Sequence, residues 1–133
     1  MLFLPRTTVL RLTVAAALMV AAAGCSKPKE SETAAEQLPV LSAPSALDSA
    51  LTRAGDRTLV LDFYADWCRP CRALAPLVDE LAREHRGKTD FYRVNIDRST
   101  ELSNAFGVRG IPYIVFMKGG KPVYALPGMY PKE

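Results

Sequence analysis

The stretch Thr58-Leu59-Val60-Leu61-Asp62-Phe63-Tyr64-Ala65-Asp66-Trp67-Cys68-Arg69-Pro70-Cys71 decides how the rest of the chain is read. Its first eight residues are nearly all apolar and β-prone, interrupted only by Asp62. Such a run suits a strand covered on both faces, as in a central parallel or mixed sheet. Arg69 to about Arg86 then reads as a helix, with Leu74, Leu77, Val78 and Leu81 at i, i+3, i+4 and i+7 forming its buried stripe. Pro76 lies inside this stripe and is expected to kink the helix. Cys68 and Cys71 therefore stand between a strand and a helix, the context in which C-x-x-C reads as a redox pair. Both sulfurs fall within the first helical turn, close enough for a disulfide with little backbone movement. Unpaired N–H groups and the positive end of the helix dipole favour a thiolate on Cys68. Arg69 adds positive charge, and Pro70 suits a first-turn position where its missing N–H costs nothing.

Working outward, Leu38 to Leu41 is expected to form a short first strand. Ala46, Leu47, Ala50 and Leu51 repeat at helical spacing, with Ser45 as a candidate N-cap and Gly55 as the stop. Phe91 to Ile96 reads as a strand, and Leu102, Ala105 and Phe106 as a short helix ending at Gly107. Tyr113 to Met117 and Val123 to Leu126 read as strands joined by Gly119-Gly120, a hairpin turn. Pro122 confines the last strand to an edge. The order β-α-β-α-β-α-β-β implies an α/β fold with a central mixed sheet flanked by helices.

The chain has 133 residues, 49% hydrophobic and 23% charged, with a formal charge of +3. Residues 1–24 hold Arg6 and Arg11 and no acid, so residues 25–133 carry 15 basic and 14 acidic side chains, a net of +1. That balance offers no footprint for nucleic acid. Arg6 and Arg11 followed by the uncharged run Leu12 to Gly24 read as a signal peptide, too short for a span of about 20 residues. Ala22-Ala23-Gly24-Cys25 resembles the lipobox of bacterial lipoproteins, in which the cysteine is lipidated and becomes the mature N-terminus, although that box usually has Leu where Ala22 stands. Lipidated Cys25 would explain the odd cysteine count; a plain signal with an incidental cysteine, or an uncleaved anchor, is the alternative. Ser26 after the cysteine favours the outer membrane by the same resemblance. Ser26 to Gln37 lacks large apolar residues and reads as a flexible tether. The expected organisation is thus a leader over 1–24, a lipidated tether over 25–37 and one globular domain over 38–133.

Residues 58–128 resemble thioredoxin. The segment Leu61 to Cys68, the pair Cys68/Cys71, Val94-Asn95-Ile96-Asp97 and Val108-Arg109-Gly110-Ile111-Pro112 all match that family, in order and at sensible separations. The resemblance implies that Pro112 is a cis-proline beside the sulfurs, leaving the backbone of Ile111 free to pair with an extended substrate. It implies that Asp62 is a buried acid beneath Cys71. Burial would raise its pKa and let it exchange a proton with Cys71. Trp67 would flank the reactive sulfur and shape a docking surface. Arg93 stands where the family often has Lys near the buried acid, and is either a tuning charge or a solvated one; Asp66 and His85 read as surface residues. Two departures stand out. Arg69-Pro70 replaces the usual Gly-Pro between the cysteines, and the sequence stops at Glu133, so the family's final C-terminal helix is expected to be missing. That would leave one sheet face partly uncovered.

The chemistry expected is thiol–disulfide exchange in which Cys68 attacks a substrate disulfide and Cys71, expected to be the more buried, resolves the mixed disulfide. No cofactor beyond the dithiol is implied. A zinc site would need further ligands, and the chain has no second C-x-x-C and only His85. The first expectation is a monomeric protein-disulfide reductase, lipid-anchored and facing the periplasm. In that oxidising compartment it needs electrons, with a DsbD-like membrane thiol conduit as donor. Envelope proteins with wrong disulfides, or apocytochromes awaiting haem, are the expected acceptors. An oxidant or isomerase, and an adaptor whose turnover is incidental, are the rival expectations.

Overall fold

A computed structural model describes residues 37–128. The leader, Cys25 and the tether up to residue 36 lie outside the described residues, as do residues 129–133. The order is α1 (Pro44–Ala54), β1 (Thr58–Tyr64), α2 (Arg69–Glu84), β2 (Thr89–Asn95), α3 (Thr100–Ala105), β3 (Tyr113–Lys118) and β4 (Lys121–Pro127). The strands form one mixed sheet in the order β2-β1-β3-β4, with β1 parallel to β2 and antiparallel to β3, and β3 antiparallel to β4.

β1 is central, and its middle five residues are all buried. Alternation along β1 sends Leu59, Leu61 and Phe63 to one face. There they join Leu47, Ala50 and Ala54 of α1, Leu102 of α3, Tyr92 and Val94 of β2, and Val115 and Met117 of β3 in a single core. Phe63 is fully buried, with ring centroids 5.5 Å from Phe106 and 6.1 Å from Tyr113. The other face carries Val60, Asp62 and Tyr64, and α2 covers it with Leu74 and Val78 turned inward. Leu77 and Leu81 complete the stripe at half burial, and α2 is continuous through Pro76.

The N-terminal elements differ from expectation in two places. Leu38 to Leu41 forms only one bridge, Val40 to Arg93, made by Leu41 N–H donating to Arg93 O (2.8 Å) and Arg93 N–H donating to Pro39 O (2.9 Å). Pro39 has no N–H to extend the ladder, and Pro44 soon afterwards opens α1. Helix α1 is therefore capped by Ala43 rather than Ser45, without a side-chain hydrogen bond, because Pro44 at the first helical position sets the start two residues earlier. At the other end Gly119 and Gly120 both take positive φ (56° and 75°), as a tight hairpin turn between β3 and β4 requires. β4 is the sheet edge, as Pro122 demands, with a register shift at Phe116/Met117. Val123 and Tyr124 on it are largely exposed, and Tyr124 rests against half-buried Phe116 (6.1 Å between centroids).

Candidate active site

β1 ends at Tyr64, and a tight turn closed by Cys68 N–H donating to Ala65 O (3.1 Å) delivers the chain to α2. Cys68 is the N-cap of α2. Its Sγ accepts a hydrogen bond from the backbone N–H of Cys71 (3.2 Å), one of the donors that a helix start leaves without an intrahelical partner. The same N–H would stabilise a thiolate on Cys68 after reduction. Cys68 and Cys71 form a disulfide, their Cα atoms 5.3 Å apart. Ala65, Cys68 and Cys71 make a small buried cluster against which Tyr64, Ile96 and Ile111 pack.

The expectation that Cys71 is the more buried cysteine does not hold for the disulfide form. Cys68 is 3% exposed and Cys71 5%, because both sit beneath the same apolar neighbours. What separates them is position. Cys68 precedes the helix and receives its N–H group, whereas Cys71 lies inside the first turn.

The Ile111-Pro112 bond is cis, and Pro112 is fully buried. Ile111 packs on the cysteine cluster, so this loop and the disulfide meet. Among the described residues the Ile111 backbone makes no backbone hydrogen bond, whereas Pro112 O accepts from Gly128 N–H (2.8 Å). A shallow cleft of about 330 Å³ lined by Arg109, Gly110, Ile111, Tyr113 and Gly128 lies alongside. Trp67 is 65% exposed, and its indole Nε1–H donates to Asp97 Oδ2 (2.9 Å). Arg69 and Pro70 are exposed on the first turn.

Asp62 is 4% exposed on the α2 side of β1. Burial pushes its pKa from 3.8 up to about 6, against the pull of Arg93 and with a smaller push from the Asp79 carboxylate. Arg93 is thus no solvated strand-end charge. Its Nε lies 3.5 Å from Asp62 Oδ2, while Nη2 donates to Ala75 O (3.2 Å) and Asp79 Oδ1 (3.1 Å). The guanidinium also lies 5.9 Å from the Tyr64 ring centre. A cavity of about 160 Å³ lined by Asp62, Tyr64, Ala65, Asp66, Arg72, Ala75 and Arg93 adjoins the Asp62 carboxylate. It is large enough for a few waters at about 30 Å³ each.

Sequence reasoning assigned no role to Asp79, Asn95 or Asp97. Asn95 is a buried amide at the end of β2, accepting from Asp97 N–H (3.0 Å) and donating weakly to Asp66 (3.4 Å). Its signal was a polar residue closing an apolar strand. Asp66 is exposed, as expected, and also pairs loosely with Arg98. His85 caps the end of α2 at the surface. Among the described residues no group of three or more His, Cys, Asp or Glu is arranged to hold a metal ion, and no helix is long and apolar enough to cross a membrane.

The thioredoxin family model matches residues 39–133. The chain belongs to the thioredoxin family. It is 42% identical over 79 residues to thioredoxin of Alicyclobacillus acidocaldarius, a match covering 59% of this chain and 75% of that one. It is 44% identical over 79 residues to the chloroplastic M-type thioredoxin of Pisum sativum, covering 59% of this chain and 46% of that one. Against such chloroplastic relatives the match spans half of their length or less. Fasciola hepatica thioredoxin superposes with a TM-score of 0.66 at 35% identity, covering 68% of this chain and 86% of that one. Thioredoxins are thiol–disulfide oxidoreductases, and this member carries the paired cysteines that such chemistry needs.

Proposed function

We propose that the chain is a protein-disulfide reductase of the bacterial envelope. The hydrogen bond from Cys71 N–H to Cys68 Sγ carries the assignment of roles. Cys68, as thiolate, attacks one sulfur of a substrate disulfide; a Cys68–substrate bond forms and the first substrate thiolate leaves. Cys71 then loses its proton, with the buried Asp62 carboxylate as the acceptor in this scheme. The Cys71 thiolate attacks Cys68 Sγ, forming the Cys68–Cys71 bond and breaking the bond to substrate. Both substrate thiolates take protons, so two electrons have passed from the dithiol to the substrate. Trp67 and the Ile111 backbone flank the disulfide as the surface on which an extended substrate docks, and Pro112 holds that loop in place.

The reductive direction is supported by Pro70 and by likeness to thioredoxins, and the envelope by the leader and Cys25. The electron donor in this scheme is a DsbD-like membrane thiol conduit, and Cys25 carries the lipid that holds the protein at the membrane. Dithiothreitol-driven insulin reduction tests the chemistry: Cys68→Ser is expected to abolish it, and Cys71→Ser to accumulate mixed disulfides whose captured proteins identify the substrates. Full turnover by Cys68→Ser would overturn the assignment. Palmitate labelling that survives in Cys25→Ser would overturn the anchor.

A further inference from the structure

Three groups compete around Arg93. Its Nη2 is held on the α2 side by Asp79 Oδ1 (3.1 Å) and the Ala75 carbonyl (3.2 Å). Its Nε is left buried with no hydrogen-bond partner, 3.5 Å from Asp62 Oδ2. The ion pair with Asp62 is therefore looser than a charge-assisted hydrogen bond, for which about 2.7–2.9 Å is usual. A guanidinium released from α2 need move by only about 0.6–0.8 Å to make that bond, and Asp79 and the Ala75 carbonyl are what hold it back.

We infer that Asp79 is a positioning residue that draws Arg93 toward α2 and so keeps the Asp62 carboxylate basic enough to take a proton from Cys71. This rests on the proton-acceptor role proposed for Asp62. The charged and titratable groups near Asp62 all fit the arrangement. β2 supplies Arg93, and α2 supplies Asp79 and Arg72. Tyr64 lies on the same strand, and Asp66 rims the cavity. From β3 the opposing residue is Ile114, which carries no charge. Asp79 acts on Asp62 in two ways of the same sign: its negative charge disfavours a second one nearby, and its hold on Arg93 weakens the compensating pair. The two charged neighbours thus pull in opposite directions, which makes the inference a matter of sign.

Asp79 is half-buried on an otherwise intact helix face, and Asp79→Asn keeps its shape. The carboxyl carbon of Asp62, followed by NMR from pH 4 to 8 in the oxidised full-length protein, reads its proton affinity without reference to turnover. In Asp79→Asn the midpoint is expected to fall from about 6, corresponding to an affinity lower by roughly threefold to tenfold. In Arg93→Gln it is expected to rise, and in Asp79→Glu to return toward the parent. The acid limb of the resolving step in single-turnover reduction should move with the NMR midpoint. An Asp62 midpoint unmoved or raised by Asp79→Asn, or lowered by Arg93→Gln, would overturn the inference. Failure of the underlying catalytic role looks different: Asp62→Asn would then resolve mixed disulfides at the parental rate, whatever Asp79 does to the titration.

Discussion

Replacing Asp62 by Asn should stabilise the folded protein at neutral pH while slowing its chemistry. The folded carboxyl binds its proton up to about pH 6, whereas the ordinary value for Asp is 3.8. Folding therefore takes up a proton between these values, and stability falls as pH rises through that window. A shift of about two units corresponds to about 3 kcal/mol at pH 7.5, and Asp62 is 4% exposed, so solvent screening removes little of it. Asn keeps the shape and needs no ionisation, and Arg93 retains Asp79 and the Ala75 carbonyl. The pull of Arg93 is already contained in the value of about 6, so the gain stays at about 3 kcal/mol, upward of about 10 °C in Tm for a domain of this size. Trp67, the only tryptophan, sits beside the disulfide and reports unfolding by fluorescence. Urea melts of the oxidised parent and variant at several pH values supply the difference, in which every other titrating group cancels. It should be near zero at pH 4 and reach its full size above pH 7. A variant less stable than the parent at pH 7.5, or a difference constant with pH, would refute the reasoning.

In the resolving step, release of reduced substrate in single turnover should decline below about pH 6 as Asp62 becomes protonated, and Asp62→Asn should slow it by about 10²-fold or more at pH 7; a pH-independent rate would contradict this. Phe63→Ala removes a fully buried ring packed on Phe106 and Tyr113 and should cost about 3–5 kcal/mol in urea melts. Trp67→Phe deletes the donor to Asp97 at an exposed position. It should change stability by less than about 1 kcal/mol and raise the KM for insulin several-fold. A stability loss beyond 2 kcal/mol would mark Trp67 as a packing residue instead.

Elements whose own residues determine them were legible in the sequence. The covered strand β1, the α2 stripe and the Gly119-Gly120 hairpin each follow from local periodicity or backbone freedom. Leu38 to Leu41 misled because its apolar character indicates burial, while ladder length depends on N–H groups, and Pro39 has none to offer. Ser45 misled because Pro44 fixes the helix start more strongly than a hydroxyl does. In the site, Cys68 and Cys71 were legible in their spacing between a strand and a helix, whereas Asp62, Trp67 and Pro112 were named through a family resemblance; the structure finds Asp62 buried, Trp67 exposed and the Ile111-Pro112 bond cis. Asp79 and Asp97 were not, since their partners are 14 and 30 residues away and no local pattern records a pairing of that kind. The burial of Arg93 is likewise tertiary: it depends on α2 crossing over the strand.

The equilibrium of the Cys68–Cys71 pair with glutathione tests the reductase proposal most directly. A reductase should give a potential close to that of thioredoxin, about −270 mV, with Cys68→Ser and Cys71→Ser each abolishing the two-electron couple. A potential near that of a strong oxidant, about −120 mV, would contradict it and make the chain a donor of disulfides.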